Sequence, residues 1–277
     1  MTLLVRNNFL KGGIIFAALS LCVAGAGGYF AFEAFPGISR GATQRPQGII
    51  QGIFAGFFET SAYVPLFTIF CAVAFSLVSV ILLYFFFEKT QSPEILFFAL
   101  FFISLSFEFA RLALPLREVL QFPVGRIVIA SRILIFGRYF GLFSLFAAGA
   151  FAAGLEIQKQ QNVLQMLILS GMVIAVNIPI DSLAWDSTFR LLNSYRPMLN
   201  VVGGGILAVT IVTFFISAYT RGSRTYIFVG LGTLLAFVGR NMLINADNWF
   251  TPSAGLLILT AGTWLACSRL HKVYLWL

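Results

Sequence analysis

Residues 93–115, PEILFFALFFISLSFEFARLALP, are the stretch that indicates the fold class most directly. A helix needs about 20 mostly apolar residues to cross the hydrocarbon core of a bilayer, and this stretch supplies them. Two charged side chains, Glu108 and Arg111, lie well inside it. Because they are three residues apart, they face each other on one helix. The stretch therefore predicts a membrane-spanning helix that carries a buried charged pair.

Seven other runs of the chain have a similar length and apolar character, and each is bounded by charges, prolines or glycines. The eight predicted spans are residues 13–35, 62–87, 93–115, 126–154, 163–184, 197–219, 225–246 and 253–271. The alternating pattern of a membrane barrel is absent, and a helix satisfies its own backbone hydrogen bonds in lipid. The sequence therefore predicts an all-α integral membrane protein, a bundle of about eight transmembrane helices.

Composition supports the same class. The chain has 277 residues, of which 59% are hydrophobic and 10% are charged, and its mean hydropathy is +0.93. Soluble domains carry about 25% charged residues, so a soluble enzyme, a nucleic-acid-binding module and a disordered protein are excluded. The formal net charge of +8 comes from basic residues scattered between apolar runs, which is typical of membrane-protein loops. The predicted partner is the lipid bilayer, with no role for nucleic acid.

Three regions follow from the span pattern. Residues 1–36 form an N-terminal anchor helix, with cleavage as a signal peptide as the alternative. Residues 37–61 form an outer loop that contains an interfacial amphipathic helix, and residues 62–277 form a seven-helix membrane core. The apolar face of the amphipathic segment consists of Ile49, Ile50, Ile53, Phe54, Phe57 and Phe58. Such a stripe is typical of a helix that lies in the membrane interface.

Basic residues predict the orientation. With the N-terminus inside, Lys11, Lys89, Lys159 and Lys272, which are all the lysines of the chain, lie on the inner side. Cytoplasmic loops carry an excess of basic residues. We therefore expect a multi-pass protein of the cell (inner) membrane with both termini in the cytoplasm.

Several kinds of active site find no support in the sequence. The single histidine, His271, lies near the C-terminus, the three cysteines lack metal-ligand spacing, and no lysine falls inside a span. Metalloprotease, nucleophile-elbow and phosphate-loop motifs are absent. We therefore predict no catalytic residue, no metal and no cofactor. The intramembrane carboxylates leave a lipid-handling enzyme as an alternative.

Polar side chains inside the spans are the candidate site, because ionisable groups in hydrocarbon cost about 2.5–3.5 kcal/mol each on insertion scales. They gather in the predicted outer half of the bilayer, whereas the inner halves hold little beyond hydroxyl groups. The candidate ligand-binding residues are Glu108, Arg111, Arg132, Arg138, Asp181, Arg240 and Asn241. Four arginines against two acids leave a positive excess, which suits an anionic small molecule or a lipid head group. The alternative is that these arginines only pair with the acids and backbone carbonyls, or extend to the interface.

The one-sided polarity predicts a sensor, a receptor-like protein or another ligand-binding module that faces outward. In architecture alone, the layout resembles the membrane part of bacterial seven-helix sensors. No output domain follows the last predicted span, so signalling is expected to need a separate protein partner. The alternatives are a small transporter or transport-complex subunit, and a non-catalytic membrane assembly subunit.

Overall fold

The architecture is that of an all-α multi-pass membrane protein. The computed structural model describes residues 3–34, 57–61, 63–87, 92–180 and 182–275. In these ranges the regular structure is helical, apart from an isolated bridge between Trp185 and Leu191. The α-helices are α1 (Leu3–Ala34), α2 (Tyr63–Phe86), α3 (Pro93–Ser106), α4 (Pro115–Leu120), α5 (Val124–Ala152), α6 (Gln160–Asn177), α7 (Arg196–Thr220), α8 (Thr225–Ile244) and α9 (Phe250–Leu275). A 3₁₀ segment, Phe107–Ala113, joins α3 to α4, and a second one, Ile157–Lys159, precedes α6.

Seven helical stretches in the described part of the chain are long and apolar enough to cross a membrane. They are Leu3–Phe32, Tyr63–Phe86, Pro93–Arg117, Val124–Ala152, Arg196–Thr220, Thr225–Ile244 and Phe250–Val273. They match seven of the eight predicted spans, which confirms the predicted fold class. The third of them passes from α3 through the 3₁₀ segment into α4.

Helix α6 overlaps the remaining predicted span, residues 163–184, but it is not among these seven stretches. It has 18 residues, and at about 1.5 Å per residue it is about 27 Å long. Two contacts show that helices α5 and α7 run parallel. The Tyr139 hydroxyl donates a 2.9 Å hydrogen bond to the Leu199 carbonyl oxygen, and further along both helices Gly149 lies beside Thr213. Helix α6 must therefore carry the chain back along the length of α5.

The predicted boundary 163–184 of this helix is wrong at its second end. Helix α6 ends at Asn177, and the next residue, Ile178, is extended with a ψ of 118°. Ile178 precedes Pro179, and the proline ring disfavours a helical conformation for the residue before it. The following residues, 182–195, form an irregular segment, which we call the outer segment. The end of the bundle that carries it is the outer end, following the predicted orientation.

Helix α3 is the centre of the bundle. All of its residues are buried, and its phenylalanines pack against α5 and α7: the rings of Phe97 and Phe151 stack with centroids 5.0 Å apart, and Phe98 approaches Phe214. Helix α1 runs parallel to α3, with Gly13 against Ile103 and Gly27 against Leu112. A helix that is apolar on every side is suited to such a fully enclosed position.

Helices α8 and α9 form a close antiparallel hairpin. A Cβ atom added at Gly232 would lie 2.8 Å from the Gly262 carbonyl oxygen, and one at Gly255 would lie 3.0 Å from the Gly239 carbonyl oxygen. Glycines at these four positions let the two backbones touch, which is a common way for helices to associate in lipid.

Part of the predicted domain organisation lies outside the described residues. Residues 35–56 are among them, and they include most of the predicted interfacial helix. Of its apolar face, Phe57 and Phe58 are described, and both are exposed, with the Phe58 ring 5.3 Å from that of Phe250.

Candidate functional site

Glu108 is the centre of a buried ionic cluster at the outer end of α3. Its side chain is 1% exposed, and Arg138 on α5 donates two hydrogen bonds to its carboxylate, from Nε to Oε1 and from Nη2 to Oε2, both 2.9 Å long. Arg111 Nη1 lies 3.6 Å from Oε2. In a 3₁₀ segment, side chains at positions i and i+3 eclipse each other, so the local geometry brings Arg111 over Glu108 as the spacing predicts.

Arg111 also ties this cluster to the outer segment. Its Nε donates a hydrogen bond to the Thr188 carbonyl oxygen at 2.8 Å, and its Nη2 bonds the same oxygen. Arg111 is 2% exposed, so its charge is held between a carboxylate and a backbone carbonyl. This contact fixes the outer segment on top of the bundle.

The outer segment is organised around Asp186. One carboxylate oxygen, Oδ1, accepts hydrogen bonds from the Thr188 amide, the Thr188 hydroxyl and the Arg190 amide, and Oδ2 lies 2.8 Å from Arg196 Nη1. Burial alone would raise the pKa of Asp186, but the Thr188 hydrogen bond and the charges of Arg190 and Arg196 outweigh it and lower the pKa. Asp186 is therefore held as a carboxylate.

A cavity of about 360 Å³ lies between α5, α7, α8 and the outer segment. Its lining includes four arginines, Arg138, Arg190, Arg196 and Arg240. Uncharged polar groups complete the polar part of the wall: Tyr139, Asn200, Asn241 and Asn245. The lining residues in the described part of the chain include no carboxylate. A smaller space of about 90 Å³ adjoins it and shares Arg138, Arg190 and Arg196.

Arg240 is the most enclosed of the four arginines, being 2% exposed. Its Nη1 and Nη2 each lie 3.3 Å from the Arg138 carbonyl oxygen, and its guanidinium carbon is 5.6 Å from the centre of the Phe101 ring. Its buried Nε finds no hydrogen-bond acceptor among the described residues. A buried polar group without a partner is costly and calls for an explanation.

Arg190 lies close to two other arginines, Arg138 and Arg111. Its side chain bonds the Thr188 hydroxyl, the Ile244 carbonyl oxygen and Asn245 Oδ1. Its pKa is lowered well below the usual value, first by burial and then by the charges of Arg138 and Arg111, with Asp186 and Glu108 acting in the opposite direction. Burial is therefore the main reason for the lowered pKa, and the neighbouring arginines add to it.

Five of the seven predicted site residues are brought together. Glu108, Arg111, Arg138 and Arg240 form the buried cluster, and Asn241 lines the cavity beside Arg240. The other two predicted residues lie elsewhere or are not described. Arg132 is exposed on α5 and is not among the lining residues, and Asp181 lies outside the described residues.

Several polar residues of the cavity were not predicted as site residues: Arg190, Arg196, Asn200 and Asn245. They lie on the outer segment or in the terminal turns of helices, where a sequence reading assigns basic residues to the solvent. The inner half also holds more than hydroxyl groups. Glu94, at the start of α3, is 1% exposed and accepts a 2.6 Å hydrogen bond from Ser92, and its Oε1 lies 3.7 Å from Arg221 Nη2.

Comparison with known proteins adds one partial similarity. No protein-family model matches the chain, and no solved structure matches it. Over 122 residues, or 44% of its length, the chain is 30% identical to an uncharacterized protein of Treponema pallidum (strain Nichols). The aligned part spans about a third of that protein's length, 33%. This similarity carries no assignment of activity, so the functional argument depends on the cavity itself.

Proposed function

We propose that this membrane protein is a ligand-binding module, of a sensor or receptor-like kind, that holds an anionic group in the arginine-lined cavity. One observation carries the proposal. Arg138, Arg190, Arg196 and Arg240 line one cavity whose described wall contains no carboxylate, while the buried Nε of Arg240 has no acceptor among the described residues.

The energetics favour an anion as the missing partner. A buried charge is strongly unfavourable unless it is paired and hydrogen-bonded. Glu108 and Asp186 offset only part of the charge of the five arginines around them. A guanidinium presents a rigid set of donors that matches carboxylate or phosphate oxygens. An anionic ligand would supply the missing charge.

Binding is favoured over transport by the packing beneath the cavity. The α3 phenylalanines Phe97, Phe98, Phe101 and Phe102 are all buried. A transport pathway has to lead from a site near the midplane to the other side of the membrane, and these buried rings fill the space beneath the cavity. The polarity of the cavity therefore supports a site that is reached from one side.

The test is a binding measurement on the purified protein in nanodiscs. Inorganic phosphate, sulfate, acetate and succinate are titrated by calorimetry into the wild type and into R240Q. Loss of one charge-assisted contact should weaken binding of the best anion about tenfold or more. Arg132→Gln is the matched control. It removes an exposed arginine of α5 that does not line the cavity.

A second variant guards against loss of folding. The Arg196 side chain is 43% exposed. R196Q therefore changes the cavity wall with less effect on the packing of the core than R240Q. Equal affinity in the wild type, R240Q and R196Q would remove the proposed site. A weakening in R132Q as large as that in R240Q would show that the effect is a general one of surface charge.

A further inference from the structure

Exposed residues of the cavity lining lie on α7 and at the end of α8. Toward the inner ends of these helices the packing is close, since a Cβ atom added at Gly230 would lie 3.1 Å from Phe214 Cβ. Further out both helices line the cavity, and three of its lining residues, Asn200, Gly204 and Asn245, are exposed. We call the opening that these three residues border the lateral slot.

The lateral slot lies at the depth of lipid head groups and upper acyl chains. Gly204 is eight residues from the start of α7 at Arg196, which places it about 12 Å below the helix end. Beside it, Val201 is 75% exposed, and Val238 on the facing helix is 38% exposed. Large apolar side chains exposed on a membrane helix face lipid, so the slot connects the cavity with acyl chains.

The cavity behind the slot also changes character along its length. Asn200 and Asn245 lie at its outer end, whereas Leu142, Phe237 and Gly204 line its deeper part. Arg190 and Arg196 lie toward the outer end, whereas the Arg240 guanidinium reaches the level of the Phe101 ring. A polar outer end above a deeper part that adds apolar side chains matches a molecule with an anionic head and a hydrocarbon chain.

The charge of the cluster favours a dianion. Among the described residues of this cluster, Arg111, Arg138, Arg190, Arg196 and Arg240 interact with Glu108 and Asp186, so five positive charges face two negative ones and leave an excess of three. A carboxylate carries one negative charge, whereas a phosphate monoester carries about −1.5 to −2 at pH 7 and offers three strong acceptor oxygens.

From these observations we infer that the ligand of the proposed site is the phosphate monoester of a membrane lipid, which enters through the lateral slot while its acyl chain stays in the bilayer. This inference rests on the proposed function. A water-soluble phosphate ester has the same head-group chemistry, and the experiment separates the two sources.

Two neighbouring glycines offer a matched pair of variants. No atom lies within 4 Å of a Cβ atom added at Gly204 or at Gly205, so both positions have open space for the first atom of a side chain. Only Gly204 is among the residues that line the cavity. Gly204→Leu should narrow the slot, and Gly205→Leu should place the same side chain on the same helix away from it.

The measurement is calorimetric titration of dioctanoyl phosphatidate and of glycerol 3-phosphate into phosphatidylcholine nanodiscs that contain each variant. We expect the wild type to bind the phosphatidate at least about tenfold more tightly, because the acyl chains add apolar contacts. G204L should weaken phosphatidate binding about tenfold and leave glycerol 3-phosphate binding within about twofold. G205L should leave both affinities unchanged, and R240Q should weaken both.

Other outcomes would overturn the inference. Equal wild-type affinities for the two phosphates, or an unchanged phosphatidate affinity in G204L, would exclude lateral entry of a lipid. An equal loss for both ligands in G204L would also contradict it, since the substitution would then act on the cavity and not on the slot. If neither phosphate binds but acetate or succinate does, the lipid phosphate is wrong and the proposed function stands. If none of these anions binds, both fail.

Discussion

Glu108 holds the Arg138 side chain in position. Its carboxylate receives both hydrogen bonds of a two-point contact with Arg138, and Arg138 in turn lines the cavity and offers its carbonyl oxygen to Arg240. Such a bidentate pair fixes the plane of the guanidinium. The buried carboxylate therefore orients two arginines that we place at the proposed site.

Removing this carboxylate should cost stability. In Glu108→Gln the charges of Arg111 and Arg138 lose their counter-ion inside the bundle, and breaking one partner of a buried pair costs about 3–5 kcal/mol. Arg138 is 22% exposed, which places the expected loss in the free energy of unfolding near the lower limit, at about 3 kcal/mol. The measurement is a denaturation curve of the purified protein in mixed micelles.

Glu156→Gln is the control for that measurement. Glu156 pairs with Lys159 at 3.3 Å, but the two side chains are 67% and 55% exposed. An exposed pair contributes between about 0 and 1 kcal/mol, so this variant should unfold close to the wild type. Equal stability of E108Q and E156Q would mean that the Glu108 cluster does not hold the bundle together.

At the element scale, the α8–α9 hairpin depends on glycines. A Cβ atom added at Gly239 would lie 2.7 Å from the Gly255 carbonyl oxygen, which is backbone and cannot rotate away. Gly239→Leu should therefore force the helices apart and lower the free energy of unfolding by about 3 kcal/mol, at the upper end of the range for overpacking. The separation would also displace Arg240, the next residue, so anion binding should weaken in the same variant.

Gly28→Leu on α1 controls for the glycine substitution itself. No atom lies within 4 Å of a Cβ atom added at Gly28, and leucine has a better helix propensity than glycine. The unfolding curve of this variant should match the wild type or move to slightly higher stability. If G239L had the same free energy of unfolding as G28L, the close backbone contact at Gly239 would be contradicted.

Elements were predictable from sequence where one physical cause dominates. Seven spans follow from apolar length, and the pairing of Glu108 with Arg111 follows from their spacing of three. The faces of α5 did not follow in this way: Arg132 and Arg138 are six residues apart, which is about 240° around a helix, and only packing against α3 and α7 shows which of them points inward.

The outer segment lay beyond prediction for a different reason. Its fold depends on Asp186 bonding Thr188 and Arg190, and on Arg111 reaching the Thr188 carbonyl oxygen from a distant part of the chain. Neither interaction has a periodic signal in the sequence. The basic residues of this segment therefore looked like solvent-exposed loop charges, although Arg190 is 9% exposed.

At the scale of the whole molecule, charge is distributed by depth. The outer end holds the arginine cluster, the middle holds buried phenylalanines, and the inner end holds Glu94 with Ser92 and Arg221. Ion pairs at both ends therefore connect the buried α3 segment to the rest of the bundle, Glu108 to Arg138 and Glu94 to Arg221. The orientation of this arrangement in the membrane stays a prediction, based on the placement of the lysines.

Residue-specific labelling tests the orientation. Lys159, before α6, is predicted to lie inside, and Ser194, after α6, is predicted to lie outside; both positions are exposed. In a background in which Cys22, Cys71 and Cys267 are replaced by alanine, Lys159→Cys and Ser194→Cys are treated with a membrane-impermeant maleimide on intact cells. Because the four lysines predict an inner N-terminus, Ser194→Cys should react at once and Lys159→Cys only after permeabilisation. The reverse pattern would place the arginine cavity on the cytoplasmic side, and reaction of both in intact cells would mean that α6 does not cross the bilayer.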